Sequence, residues 1–288
     1  MSRRPKRKKR KRRFPWLLFI IAVLALMVWD SNTRLVTDSC DIKLDGLSED
    51  FDGFRIVQIS DTHAARFGDG NEKLFRAVAV AKPDIIAVTG DLLTVKRNGE
   101  YDPAQLDAAM ELMDGLTDIA PVYFVTGNHD WASGDIIRLL EGIEESGAHI
   151  LRNSFVTLQA QNGGQLVLAG VDDPNGPADM LTPEGLMEEI EAEEPDLPVI
   201  LLAHRNNRAE DYAACGYDLI LCGHGHGGVV RLPFVGGVFG MDKTFFPEYD
   251  AGLFDIGQTQ LMVSRGLGNS VGIRFLNNPE IVAVDLRS

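Results

Sequence analysis

The sequence predicts an α/β sandwich domain preceded by one N-terminal transmembrane helix. Two observations predict it. Short, β-branched apolar runs alternate with amphipathic helical patterns after residue 51, and an uncharged apolar stretch follows a basic block near the start. The 288 residues divide into a basic segment (1–13), an anchor (14–29), a connecting segment (30–50) and one domain (51–288).

Arg3 to Arg13 carries ten of the 28 basic residues and no acid, which leaves 18 basic against 42 acidic residues elsewhere, a formal −24 within a total of −14. Taken alone, the block fits a nuclear-localisation run or a nucleic-acid arm. The 16 uncharged residues from Phe14 to Trp29 (FPWLLFIIAVLALMVW) argue against both, because they pin the block to a membrane surface. As a helix rising ~1.5 Å per residue they reach about 24 Å, enough to cross a locally thinned bilayer while Arg13 snorkels. A cleaved signal peptide is the competing reading. The run is longer than the usual apolar region of such a peptide, and no small-x-small site follows in MVWDSNTR. The cations belong on the cytoplasmic side, held by anionic headgroups, and the domain on the opposite face. A membrane is the expected partner and nucleic acid is not.

Residues 30–50 read as a polar connection with some strand-like content. Six apolar runs follow: Ile56–Ile59, Ile85–Thr89, Val122–Thr126, Leu166–Ala169, Val199–Ala203 and Leu219–Cys222. Each is short and apolar on both faces, as buried sheet strands are. Between them, Asp102-Pro103 opens a helix with a Leu106, Met110, Met113 stripe that Gly115 can close. Ile136, Leu140 and Ile143 repeat the stripe before Gly147. Thr182-Pro183 opens a third helix with Leu186, Met187 and Ile190 inward and a glutamate-rich face toward water. Cys40, Cys215 and Cys222 show no paired spacing, so neither a disulfide framework nor a zinc ribbon is indicated.

Polar, metal-capable residues follow every apolar run, and open α/β sheets bind ligands at the carboxyl ends of their strands. Asp61, His63, Asp91, Asn128, His204, His224 and His226 supply carboxylate, amide and imidazole without thiolate, a set suited to Mn²⁺, Fe or Zn²⁺. Seven ligands exceed one tetrahedral ion and suit two divalent ions sharing a carboxylate, for which Asp91 is the candidate. Gly90 lets the backbone turn closely beside it. His224 and His226 are two apart, which in a strand sends them to opposite faces; Gly225 is expected to relax that.

Asp61-Thr62-His63, Gly90-Asp91, Gly127-Asn128-His129-Asp130, His204 and Gly223-His224-Gly225-His226 together resemble the calcineurin-like metallophosphoesterase superfamily, over about Phe54 to Leu232. The tail, with Val263-Ser264-Arg265-Gly266-Leu267-Gly268, is similar to the bacterial membrane-associated branch. The resemblance implies two mixed β-sheets packed face to face and flanked by helices. It implies one metal on Asp61, His63, Asp91 and His226, the other on Asp91, Asn128, His204 and His224, and His129 as the catalytic histidine with Asp130 orienting it. It implies a hydroxide, generated at the two ions, that attacks phosphorus in line with the leaving oxygen. Two departures stand near the site: Gly225 replaces the family's usual threonine, and Asn206-Asn207 replaces a Pro-Asp.

His149 reads as a structural residue, and Asp172-Asp173 as a turn. Arg66, Arg152, Arg205 and Arg265 could each contact a phosphate, though exposure is the commoner fate of an arginine. The leading function is hydrolysis of phosphate mono- or diesters, directed by the anchor toward lipid-linked or envelope substrates. A UDP-diacylglucosamine-type pyrophosphate hydrolase is the alternative activity. A non-catalytic binding protein on the same fold is disfavoured because His129 and all seven ligands are present.

Overall fold

A computed structural model describes residues 14–96, 98–177, 180–241, 243–269 and 272–288; the cytoplasmic basic segment expected over 1–13 lies outside them. Helix α1 (Phe14–Thr33) runs 20 residues, four beyond the uncharged stretch. Only 6% of its Trp16–Thr33 window is buried, so the domain leaves its apolar surface uncovered.

The residues read as a connecting segment do not stay outside the domain. Val36–Lys43 forms β1, hydrogen-bonded in parallel to the last strand, β14 (Glu280–Arg287). A search for apolar runs passes over it because it is an edge strand whose Asp38, Asp41 and Lys43 face water. Inward from this edge come β2 (Arg55–Ile59), β3 (Ile85–Thr89), β4 (Val122–Val125) and the short β5 (His149–Ile150), giving a six-stranded sheet ordered β1-β14-β2-β3-β4-β5. Only the β14-β2 pair in it is antiparallel.

The second sheet contains β6 (Ser154–Gln159), β7 (Gln165–Gly170), β8 (Val199–Arg205) and β9 (Leu219–Gly223). A small ladder, β10 (Arg231–Leu232) with β11 (Gly236–Gly237), stands apart, and β12 (Gly252–Ile256) and β13 (Thr259–Val263) complete the sheet. Its order is β12-β13-β9-β8-β7-β6, parallel through the middle and antiparallel at both edges.

Alternate residues of each central strand serve different cores, which explains why the strands are apolar on both faces. In β3, Ile85 and Ala87 pack between the sheets with Ile200, Leu202, Leu219 and Leu221. Ile86 and Val88 pack outward against α2 (Glu72–Ala81), α3 (Ala104–Thr117) and, beyond the five-residue α4 (Asn128–Ala132), α5 (Ile136–Glu145). On the far side, α6 (Pro183–Glu193) and α7 (Ala209–Ala214) cover Leu201, Ala203 and Ile220. The result is the expected sandwich of two mixed sheets between helical layers.

Helix α3 does not end at Gly115. It continues to Thr117, and Gly115 is needed for a different reason: a Cβ there would lie 2.2 Å from Phe75 Cζ on α2. Gly115→Ala is therefore expected to destabilise the detergent-solubilised chain by about 1–3 kcal/mol through overpacking, although alanine is the better helix former by about 1 kcal/mol. Adding Phe75→Leu is expected to restore most of the loss in chemical denaturation. A stabilised single variant would contradict this packing.

Candidate metal centre

Five strands deliver the polar residues to one place. Asp61 and His63 follow β2, Asp91 follows β3, Asn128 follows β4, His204 lies near the end of β8, and His224 and His226 follow β9. Within this set, Asp61, His63 and His226 bring ligand atoms within 4.8 Å of one another, and so do Asp91, His204 and His224. Asn128 Oδ1 lies 3.2 Å from His204 Nε2, next to the second group. Asp91 Oδ2 is 3.3 Å from His204 Nε2 and 3.8 Å from His63 Nε2, between the two groups.

Hydrogen bonds on the outer side fix which atoms face inward. His63 Nδ1 donates to the Leu93 carbonyl at 2.9 Å and His204 Nδ1 to the Thr89 carbonyl at 2.8 Å, so both rings aim Nε2 at the shared space. There the Nε2 atoms of His63 and His226 approach to 3.1 Å, and His204 Nε2 and His224 Nδ1 to 3.3 Å. Lone pairs crowded this closely out of water call for a cation between them, and the mixed imidazole, carboxylate and amide set fits divalent metal ions. The charge balance agrees. Burial pushes the His63 pKa down to about 4, against the pull of Asp91, and burial holds His224 and His226 well below the ordinary histidine value. Burial works to lower His204 too, but the Asp91 carboxylate raises it to about 10. Without an ion, a proton on His204 answers the buried Asp91 charge.

The backbone is bent to make this convergence. Asp61, His63, Asp91, His224 and His226 all have φ between 47° and 64°, the left-handed region that side chains other than glycine rarely adopt. This differs from the expectation for Gly225: the histidines themselves take the unusual conformation, which turns both rings inward. Gly225 instead leaves room for Asn206, whose Nδ2 would be 2.5 Å from a Cβ at position 225 and donates to the Tyr249 carbonyl at 2.7 Å. The two departures in sequence are thus one packing arrangement. Gly90 behaves as expected, at φ 82° with Gly127 N only 2.6 Å from where its Cβ would be.

Asp130 acts on His129 through the backbone, while the ring is set by other groups. Its buried carboxylate accepts the backbone N–H groups of Asp91, Gly127 and Leu93 at 2.8–3.1 Å, tying the loop after β3 to the start of α4. The His129 ring is set by the Val95 N–H, which donates to Nδ1 at 2.9 Å, and by an edge-on contact with His63. Asp172 accepts Thr126 Oγ1 and Arg152, Asp173 accepts Arg205, and neither joins a metal group. Arg66 and Arg265 pair with Glu111 and Glu280. His149 stacks on Tyr123 away from the site.

Two supporting residues escaped the sequence reading. Gln58, the polar interruption in the β2 run, is buried and donates to Thr89 Oγ1 at 3.1 Å and to the Cys222 carbonyl at 2.9 Å, joining the sheets beneath the site. Arg274 is buried and donates to the carbonyls of Arg265, Gly266 and Gly268. That loop braces Asp61: Leu267 N–H donates to the Ser60 carbonyl at 3.0 Å and Gly268 N–H to the Asp61 carbonyl at 2.7 Å. Gln58 could have been found as a lone amide in an apolar run; Arg274 carries no sequence signal. Beside His224 and Gly225 a cavity of about 470 Å³ opens, lined also by Asn206, Thr244, Phe246 and Tyr249.

Comparison with known proteins places this geometry in a family. The model of the calcineurin-like phosphoesterases matches residues 54–228. The chain is 29% identical over 251 residues to the uncharacterized metallophosphoesterase YkuE of Bacillus subtilis, covering 86% of this chain and 84% of that protein. It is 30% identical over 240 residues to the phosphodiesterase YaeI of Escherichia coli, covering 81% and 82% respectively. It is also 29% identical over 285 residues to a transmembrane protein with metallophosphoesterase domain from Danio rerio, covering 94% of this chain and 62% of that protein.

Gly225→Thr is expected to lower both the melting temperature and the metal content by displacing Asn206, and Asn206→Ala in the same chain is expected to recover part of each. A double-mutant cycle should return a coupling of about 0.5–3 kcal/mol. Additive effects would show that the two positions do not compete for space.

Proposed function

This chain belongs to the calcineurin-like phosphoesterase family and is a phosphoester hydrolase, and from that premise we propose that it cleaves phosphate mono- or diesters at a centre holding two divalent ions. The observation that carries the proposal is the position of Asp91 Oδ2, within 3.8 Å of an imidazole nitrogen of each ligand group. Asp61, His63 and His226 would hold one ion, His204, His224 and Asn128 the other, and Asp91 both. Such ions supply Lewis acidity, making a hydroxide nucleophile available near neutral pH and neutralising phosphoryl oxygens.

The protein's own part is positioning and stabilisation of developing charge. Because Val95 N–H donates to His129 Nδ1, the neutral ring carries its proton on Nε2. That N–H is the group assigned to donate a hydrogen bond to the leaving oxygen and stabilise the charge that develops there. Asp91 Oδ1 accepts the His129 backbone N–H at 2.7 Å, so the shared ligand and that donor are held by one hydrogen bond. Asp130 keeps that pairing rigid through its three backbone contacts.

The apolar helix α1 and the transmembrane relative support membrane association. We assign α1 as a single-pass anchor with its N-terminus cytoplasmic, which puts the catalytic domain on the other face, facing lipid-linked or envelope phosphoesters. The charge asymmetry supports this orientation: basic residues crowd the segment before α1 and acids dominate after it.

The test uses the full chain in detergent, stripped of metal and assayed on bis-p-nitrophenyl phosphate and p-nitrophenyl phosphate. Restoring Mn²⁺ is expected to restore cleavage, and His129→Ala to lower kcat by about 10²–10³-fold with both ions still bound. Asp91→Ala is expected to lose metal as well as activity. Undiminished cleavage in the presence of a strong chelator would overturn the proposal.

A further inference from the structure

Large exposed apolar side chains on the domain are not evenly spread. Among the described residues after α1, Val80, Ile137 and Leu253 are isolated, but Leu232, Phe234, Val235, Phe239, Phe245 and Phe246 fall within 15 consecutive positions. Scattered apolar residues on a surface need no explanation, whereas several gathered in one loop point to an interaction site. The group is built rather than loose. The β10-β11 ladder turns through Pro233, Phe234 and Val235, and a second bridge pairs Phe239 with Phe245, their rings 5.3 Å apart.

The base of this loop hangs from the same segment that receives α1. Phe275 forms a bridge with Val230, accepting the Arg231 N–H at 3.0 Å and donating to the Val229 carbonyl at 3.3 Å. Its neighbours face the other edge. Arg274 donates its N–H to Asn32 Oδ1 at 3.0 Å and accepts from Asn32 Nδ2 at 2.8 Å, and Leu276 N–H donates to Ser31 Oγ at 2.8 Å. Asn278 Nδ2 adds a bond to the Asp30 carbonyl at 2.8 Å. The last turn of α1 and the root of the apolar loop are thus bonded to the same short segment, residues 274–276. Ile273, also exposed, immediately precedes it.

No flexible linker follows the helix: α1 ends at Thr33, and Val36 N–H already bonds the Pro279 carbonyl at 2.9 Å. The domain is therefore held at a fixed attitude against whatever α1 enters. Trp29, one turn before the end of α1, is exposed, as a tryptophan at a membrane interface is expected to be.

From this arrangement we propose that residues 232–239 and 243–246 form a second membrane contact, the Phe234 and Phe245 side chains entering the acyl boundary of the bilayer that α1 crosses. The occupant is lipid rather than protein because the root of the loop and the last turn of α1 are bonded to the same 274–276 segment, which holds the loop beside the bilayer that α1 enters. Phe246 belongs to both the loop and the wall of the cavity beside His224, so the contact borders that cavity.

The test measures depth and does not depend on catalysis. In the full chain carrying Cys40→Ser and Cys215→Ser, a nitroxide is placed at Phe234→Cys, Phe245→Cys or Ile137→Cys, and the protein is reconstituted in nanodiscs of phosphatidylcholine and phosphatidylglycerol (3:1). Cys222 is fully buried and stays unlabelled. By power saturation, the ratio of oxygen to nickel-chelate accessibility is expected to be several-fold higher at 234 and 245 than at 137. Unchanged melting temperatures identify the labelled chains as folded. Ratios equal to that at 137 would overturn the proposal. Labels shielded from both reagents would overturn it too, by showing a protein surface, such as a second copy, in place of lipid.

Discussion

Asp91 is buried between two groups of histidines, and its carboxylate needs positive charge beside it. Burying an unpaired carboxylate is costly, and here the nearest compensating group is His204 at 3.3 Å. Much of the surrounding structure serves to keep that carboxylate in place. Its N–H is held by Asp130, its Oδ1 by the His129 N–H, and a Cβ at Gly127 would lie 2.2 Å from that Oδ1. Ions bound to this centre would stabilise the fold as well as the reaction, since a ligand that binds only the folded state shifts the folding equilibrium toward it.

The centre also closes the sandwich. His204 in the second sheet bonds the Thr89 carbonyl of the first, and the His224 N–H bonds both oxygens of Asp61. Gln58 joins the sheets beneath them. Five positions with left-handed backbone lie at this seam, each of a kind that costs of order 1 kcal/mol or more unless the surroundings enforce it. The cross-sheet bonds and the Arg274-braced loop provide that enforcement, which connects a strained backbone to a fixed ligand geometry.

How far the sequence could be read follows from which forces leave a local pattern. The central strands were legible because they are apolar on both faces, and the seven converging residues because each follows such a strand. Strand β1 was not, because an edge strand pairs by its backbone and its Asp38 and Asp41 look like loop residues. Helix α2 has buried Leu74, Val78 and Ala81 at proper spacing but few start and stop signals, its N-cap being Asn71 in a left-handed conformation. Gly115 and Gly225 look like a stop signal and a loosened loop, yet each is small because a side chain distant in sequence, Phe75 or Asn206, fills its space. Adjacency makes Asp130 legible as a partner of His129, but that it acts through three backbone N–H groups depends on Asp91 and Leu93, which are distant in sequence.

Diffraction from crystals grown with Mn²⁺, recorded at the manganese absorption edge, tests the central claim most directly. The account requires two anomalous peaks about 3.5–4 Å apart, with Asp91 Oδ2 between them, one beside Asp61, His63 and His226 and the other beside His204, His224 and Asn128. A single peak, or two peaks that Asp91 does not bridge, would contradict it.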